Sequence, residues 1–202
     1  MMKAAQLHLI STGTQPLEQL TEILKRIHSM TDFIHLREKD RSAKELYELI
    51  LSLADMGVPL SKILVNDRTD VAKAANARGV QRAYHSLPLA AARMHFSELM
   101  IGSSVHSVQE ARMAEQQGTD FLLFGHVYPT QSKPGAAPRG LEELKEVCRA
   151  VNVPVIAIGG ITPENAPEAL ASGAQGVAVL SGILQSKDPV DAAHRYRAAL
   201  SG

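Results

Sequence analysis

The sequence carries no excess charge of either sign: Lys plus Arg number 21 and Asp plus Glu number 21 in 202 residues. With no basic surplus to neutralise a phosphate backbone, and no helix-turn-helix pattern, a nucleic-acid partner is not expected. Long hydrophobic runs are missing too. The longest, such as Val153 to Ile158, fall far short of a bilayer span. The polar start Met1-Met2-Lys3-Ala4-Ala5-Gln6 lacks the apolar centre of a signal peptide, so a cytoplasmic protein with no membrane partner is expected. Cysteine is almost absent. Cys148 cannot form a disulfide within the chain, and its place between Val147 and Arg149 in a helical pattern reads as packing. No Gly-x-Ser-x-Gly elbow, P-loop or Gly-x-Gly-x-x-Gly follows any strand, which argues against hydrolase, nucleotidase and dinucleotide-dependent chemistry.

What is present is an ordinary globular composition, 45% apolar and 21% charged, arranged as short Val, Ile, Leu and Phe runs alternating with longer stretches of helical period. The runs Leu7–Ile10, Phe33–Leu36, Ile63–Val65, Val80–Ala83, Met100–Gly102, Phe121–Phe124, Val153–Ala157 and Gly176–Val179 read as strands. Helix starts are signalled by Pro16, by Ser42 ahead of Ala43-Lys44-Glu45, and by Pro163 after Thr162. Helix stops are signalled by Gly57, Gly118 and Gly173. The fourth unit is the weakest, with room for only a short helix after Pro88. Eight β-α units in so short a chain favour one α/β domain over residues 1–202, a closed (β/α)8 TIM barrel, although an open doubly wound sheet shares the alternation.

In such a barrel, function belongs at the C-terminal ends of the strands. Those positions hold Arg37-Glu38-Lys39, Asn66-Asp67-Arg68, His85-Ser86, Ser103-Ser104-Val105-His106, Gly125-His126, Gly159-Gly160 and Ser181-Gly182. The glycine pair Gly159-Gly160 after the seventh strand and Ser181-Gly182 after the eighth can offer backbone N–H groups to a phosphate. Arg37 and Lys39, two residues apart, can bracket an anion. Asn66 and Asp67 can supply an amide and a carboxylate, or form a simple turn. His126, beside Gly125 at the end of an apolar strand, has a side chain suited to proton transfer near neutrality. His35 and His106 also lie near strand ends, His35 on the side facing the barrel interior. The three histidines lack ligand spacing, so neither a metal site nor a cofactor is expected. The loop from Pro129 to Gly140 is the longest irregular stretch and a candidate lid. The residues alone point to a phosphate-bearing small molecule and proton transfer.

The ordered segments His-Leu-Arg-Glu-Lys at 35–39, Val-Asn-Asp-Arg at 65–68, Gly-Ser-Ser-Val-His at 102–106, Phe-Gly-His-Val-Tyr-Pro-Thr at 124–130, Ala-Ile-Gly-Gly-Ile at 157–161 and Gly-Val-Ala-Val-Leu-Ser-Gly at 176–182 resemble the thiamine phosphate synthase superfamily over nearly the whole chain. Three departures resemble its thiazole tautomerase branch, known as TenI. His35 stands where synthases carry Gln. Ser86 stands where they carry a magnesium-binding Asp, and His126 where they carry Pro. The resemblance therefore implies an isomerase, converting the exocyclic-alkene form of a thiazole carboxylate phosphate to its aromatic tautomer with His126 as base and acid. In that reading Gly159, Gly160, Ser181 and Gly182 hold phosphate, while Arg37, Lys39, Asn66, Ser104, Thr130 and Lys133 contact the substrate. Thr130, Ser132, Lys133 and Asn66-Asp67 resemble the synthase pattern instead. The alternatives are thus a magnesium-dependent thiamine phosphate synthase and a non-catalytic thiazole-phosphate-binding protein. Self-association stays open.

Overall fold

The computed structural model describes residues 4–132 and 135–201. Eight parallel strands, β1 (Gln6–Ile10), β2 (Phe33–Leu36), β3 (Ile63–Asn66), β4 (Gly79–Arg82), β5 (Met100–Val105), β6 (Phe121–Gly125), β7 (Val155–Ile158) and β8 (Gly176–Val179), close into a barrel in chain order. Closure is made by β1, where His8 pairs with Phe33 of β2 on one side and with Ala178 of β8 on the other. This is the (β/α)8 architecture expected from the alternation.

Most strand positions face one of two apolar surroundings, which is why the sequence shows nearly continuous runs rather than a polar face. Ile10, Leu64, Phe121, Leu123, Ile156 and Ala178 form a separate cluster within the barrel. Their neighbours, such as Leu9, Ile34, Val65 and Phe124, are fully buried beneath the helices. Burial of such side chains contributes about 1.5–3 kcal/mol each. The helices are α1 (Leu17–Ile27), α2 (Ala43–Asp55), α3 (Thr69–Ala74), α4 (Leu89–His95), α5 (Val108–Gln116), α6 (Gly140–Ala150), α7 (Ala166–Ala171), α8 (Ser181–Leu184) and α9 (Pro189–Ala199). Among the described residues, none is long and apolar enough to cross a membrane.

Most of the punctuation falls where expected. Pro16 precedes α1, and Ser42 forms a capping box with Glu45, its Oγ accepting from the Glu45 N–H at 3.2 Å. Gly57, Gly118 and Gly173 follow their helices with φ of 88°, 87° and 104°. Pro163 is different. Thr162 N–H donates to Asn165 Oδ1 at 2.8 Å and Asn165 N–H to Thr162 Oγ1 at 3.3 Å, holding a turn, so α7 starts only at Ala166. β7 begins at Val155 rather than Val153 because Pro154 has no N–H for the ladder. β5 runs on to Val105, which takes Ser103 and Ser104 into the strand. The eighth unit carries two helices, and the second, α9, packs against α1 and α8 in the outer layer. Its Arg197 donates to Met30 O at 2.6 and 2.9 Å and to Asp32 Oδ2 at 2.6 Å, the oxygen that also accepts the Leu7 N–H at 2.7 Å.

Candidate active site

The mouth is assembled by hydrogen bonds that cross between strand ends. Ser11, just beyond β1, donates its N–H to His35 O at 2.9 Å and accepts the Arg37 N–H on its Oγ at 2.8 Å. Gly13 follows with φ of 76°, and a Cβ there would sit 3.1 Å from the Arg37 carbonyl. These contacts fix the segment after β2, in which Arg37 is half-buried, Glu38 buried and Lys39 exposed. Two cationic side chains are left towards solvent with the carboxylate between them turned in.

At the end of β3, Asn66 pairs with Gln81 across the ladder. Asp67 adopts φ of 63° while its N–H donates to Gln81 O at 2.9 Å. Its carboxylate lies 3.2 Å from His85 Nε2. Arg68 is committed elsewhere, to Asp70 at 2.6 Å. Ser86 Oγ accepts the Ala83 N–H at 2.9 Å, so that hydroxyl shapes the β4 loop. On β5, Ser104 is exposed and its Oγ accepts from Gln81 Nε2 at 3.0 Å. Ser103 faces the opposite way, to Thr119 Oγ1 at 3.1 Å.

The β6 and β7 ends interlock. Val127 N–H donates to Ile158 O at 2.9 Å and Tyr128 N–H to Gly159 O at 3.0 Å. A Cβ on Gly159 would lie 2.7 Å from the His126 Cα, and one on Gly160 would lie 2.8 Å from the Tyr128 Cβ. Both glycines have positive φ, 96° and 67°, so only glycine fits this approach. His106 Nδ1 lies 2.6 Å from Gly125 O, an acceptor that places the proton on Nδ1. His126 is 7% exposed, with Nε2 3.3 Å from Ala136 O in the following loop. The end of that loop folds back on the same segment, Arg139 N–H donating to His126 O at 2.8 Å. Thr130 is half-buried, its Oγ1 accepting from Ser132 N–H at 3.3 Å. Lys133 lies outside the described residues. Ser181 and Gly182 are exposed at the start of α8, beneath Tyr196, whose hydroxyl donates to Ile161 O at 2.8 Å.

Below the mouth is a polar chain that the strand pattern alone does not single out. His8 Nδ1 lies 2.9 Å from His35 Nε2, and His8 Nε2 lies 3.1 Å from Gln6 Oε1. Burial pushes the His8 imidazole down to about 3 and holds His35 well below its ordinary value, so both rings are neutral. Period-2 alternation puts Gln6, His8 and Ile10 on one side of β1, and that was the available signal. Gln81, which links Asn66 and Ser104, could have been found the same way on β4. A groove of about 410 Å³ on the outer wall between α1 and α2 is lined by Glu18, Glu22, Glu45 and Glu48 among others, which disfavours a phosphorylated ligand there.

A family profile described as thiamine monophosphate synthase matches residues 7–183. This chain belongs to the thiamine monophosphate synthase family. It is 40% identical over 165 residues to a thiamine-phosphate synthase of Pyrococcus abyssi, covering 81% of this chain and 80% of the relative. It is 38% identical over 195 residues to one of Chlorobium luteolum, covering 93% and 89%. A solved thiamine phosphate pyrophosphorylase from Pyrococcus furiosus superposes with a TM-score of 0.82 at 33% identity, over 97% of this chain and 95% of that one. These relatives overturn the expectation of an isomerase and thiazole tautomerase. That expectation rested on single residues at 35, 86 and 126, whereas the synthase likeness spans the barrel. The structure gives His126 a packing role as well, since its ring is nearly enclosed and reaches the Ala136 carbonyl. The presence of a histidine there therefore does not by itself mark a tautomerase.

Proposed function

We propose that this chain is a thiamine-phosphate synthase, a transferase joining a pyrimidine diphosphate to thiazole phosphate with release of pyrophosphate. The observation that carries the reading is the family match over residues 7–183 together with synthase-named relatives at 37–41% identity. In the step, the thiazole ring nitrogen forms a bond to the pyrimidine methylene carbon as the carbon–oxygen bond to the diphosphate breaks. The electron pair leaves on pyrophosphate, and no proton transfer is required.

The chain's own residues then have two tasks. Arg37 and Lys39 hold the diphosphate and stabilise the charge that gathers on it. Gly159, Gly160, Ser181 and Gly182 hold the phosphate of the second substrate through backbone N–H groups, and Asn66, Ser104, Thr130 and Lys133 orient the rings. Holding both reactants in line supplies much of the acceleration. His126 joins this set by tethering the 129–140 loop to the mouth.

Magnesium demands oxygen donors and is commonly held by one or two carboxylates plus substrate phosphates. Among the described residues no group of three or more His, Cys, Asp or Glu could hold a metal alone, yet Asp67 at the mouth fits as the single protein carboxylate for an ion shared with a diphosphate. When bound there, magnesium supplies neutralisation of the leaving group's charge. The enzyme so described works in the cytoplasm on two small phosphorylated substrates. The test is pyrophosphate release from purified protein with both substrates and magnesium. Release that needs both substrates supports the reading, and its absence at millimolar concentrations of each removes it.

A further inference from the structure

Among the described residues, His35 Nδ1 and Gln81 Oε1 are buried in the barrel interior with no hydrogen-bond partner. The residues are only 1% and 3% exposed. An unpartnered polar atom this deep is costly, about 1–3 kcal/mol, unless something occupies it. Which chemistry can occupy His35 depends on where its proton sits, and the Gln6–His8–His35 chain determines that.

Gln6 turns its Oε1 to His8 Nε2. An amide oxygen only accepts, so His8 Nε2 carries the proton. His8 Nδ1 is then a lone pair, and across 2.9 Å it accepts from His35 Nε2–H. The proton of His35 is thereby used, leaving its Nδ1 bare. Turning the Gln6 amide over would reverse every bond in the chain and make His35 Nδ1 a donor, so Gln6 chooses between two states. The rings are braced by aromatic contact, His8 lying 4.8 Å from Phe33 and 5.5 Å from Phe121. Phe121 and Gln81 Oε1 share the space that Gly102 leaves by lacking a Cβ, for a side chain there would overlap both. Gln81 cannot turn its amide over freely either, because its Nε2 donates to Ser104 Oγ at 3.0 Å and Arg82 O at 3.1 Å.

We infer that Gln6 and His8 are positioning residues that hold His35 as an Nε2–H tautomer, so that its bare Nδ1, like Gln81 Oε1, accepts from a neutral N–H group of a bound ligand. A ligand presenting only acceptors in this part of the barrel would meet two lone pairs and bind poorly. The tautomer stands independently of the proposed synthase activity. The ligand half rests on that activity, with the N–H that of an amino substituent on the pyrimidine, since the ring nitrogens of a neutral pyrimidine carry no hydrogen and only accept.

The experiment is nitrogen-15 NMR of the full chain with labelled histidine at neutral pH. Both His8 and His35 should show a pyrrole-type Nε2 and a pyridine-type Nδ1. In Gln6→Met and in His8→Phe, which keep length and packing respectively, His35 should lose this single pattern and become a mixture or convert to Nδ1–H. A protonated Nδ1 on His35 in the parent chain overturns the inference, as does an unchanged His35 pattern in a folded variant. If His8→Phe fails to fold, Gln6→Met alone carries the comparison, because Gln6 sits at the partly exposed end of the chain of bonds. In steady-state kinetics the KM for the pyrimidine diphosphate should rise about two- to tenfold in Gln6→Met, with kcat changed less than about twofold. An unchanged KM overturns the ligand half. No pyrophosphate release from the parent chain defeats the synthase reading, and the ligand half with it, while leaving the NMR result to decide the tautomer.

Discussion

Gly159 and His126 occupy adjoining turns so closely that a Cβ on Gly159 would overlap the His126 side chain and lie 2.7 Å from its Cα. The contact joins the ends of β6 and β7, and the Tyr128 N–H to Gly159 O bond of 3.0 Å locks it. Gly159→Ala combines a forbidden φ of 96° with overpacking, and should lower stability by about 2–3 kcal/mol. Urea unfolding measures this, and a loss below about 0.5 kcal/mol would mean that the two turns separate easily.

The buried histidine pair makes stability depend on acid. In the folded state His8 is pushed down to about 3 and His35 is also lowered, both by burial. Between the ordinary histidine value near 6.5 and the folded value, the unfolded chain binds protons that the folded chain does not. Stability is therefore complete above about pH 7 and falls as pH drops through 6 towards 4, His8 contributing a loss of roughly 1 kcal/mol per pH unit and His35 adding to it in the same direction. Urea midpoints at pH 7, 5.5 and 4.5 should show this fall, and His8→Phe should make it shallower. An identical slope in the variant would place the acid sensitivity elsewhere.

Arg197 on α9 staples the floor through Met30, Asp32 and, at 3.2 Å, the Ala5 carbonyl. Arg197→Ala should cost about 2–3 kcal/mol, since it takes the donor from the Met30 and Ala5 carbonyls and the cation from Asp32, which keeps only the Leu7 N–H. Thermal unfolding reads the loss directly, and a melting temperature equal to the parent's would contradict it.

Much of the barrel could be read from the residues, because glycine stops and apolar runs are local signals. Gly57, Gly118 and Gly173 mark helix ends through backbone geometry that little else tolerates. Pro163 misled because two reciprocal side-chain bonds between Thr162 and Asn165 make a turn that resembles a helix start in sequence. The mouth residues were legible from strand order alone, since Asn66, Asp67 and Ser104 follow from where strands end. Gln6 and His8 were not, because a polar residue within an apolar strand becomes visible as a site only when its partner, here His35 some 27 residues away, closes the bond. The activity was misread for a related reason: His126 looks like an acid-base group in one dimension, and its contact with Ala136 exists only in three.

The most direct test of the central claim is product formation from the pyrimidine diphosphate and thiazole phosphate by the purified chain, with magnesium and then with a chelator in excess. The expected products are thiamine phosphate and pyrophosphate in equal amounts, abolished by the chelator and reduced at least about a hundredfold in Asp67→Asn. Turnover of a thiazole carboxylate phosphate alone, with no pyrophosphate from the substrate pair, would contradict the claim.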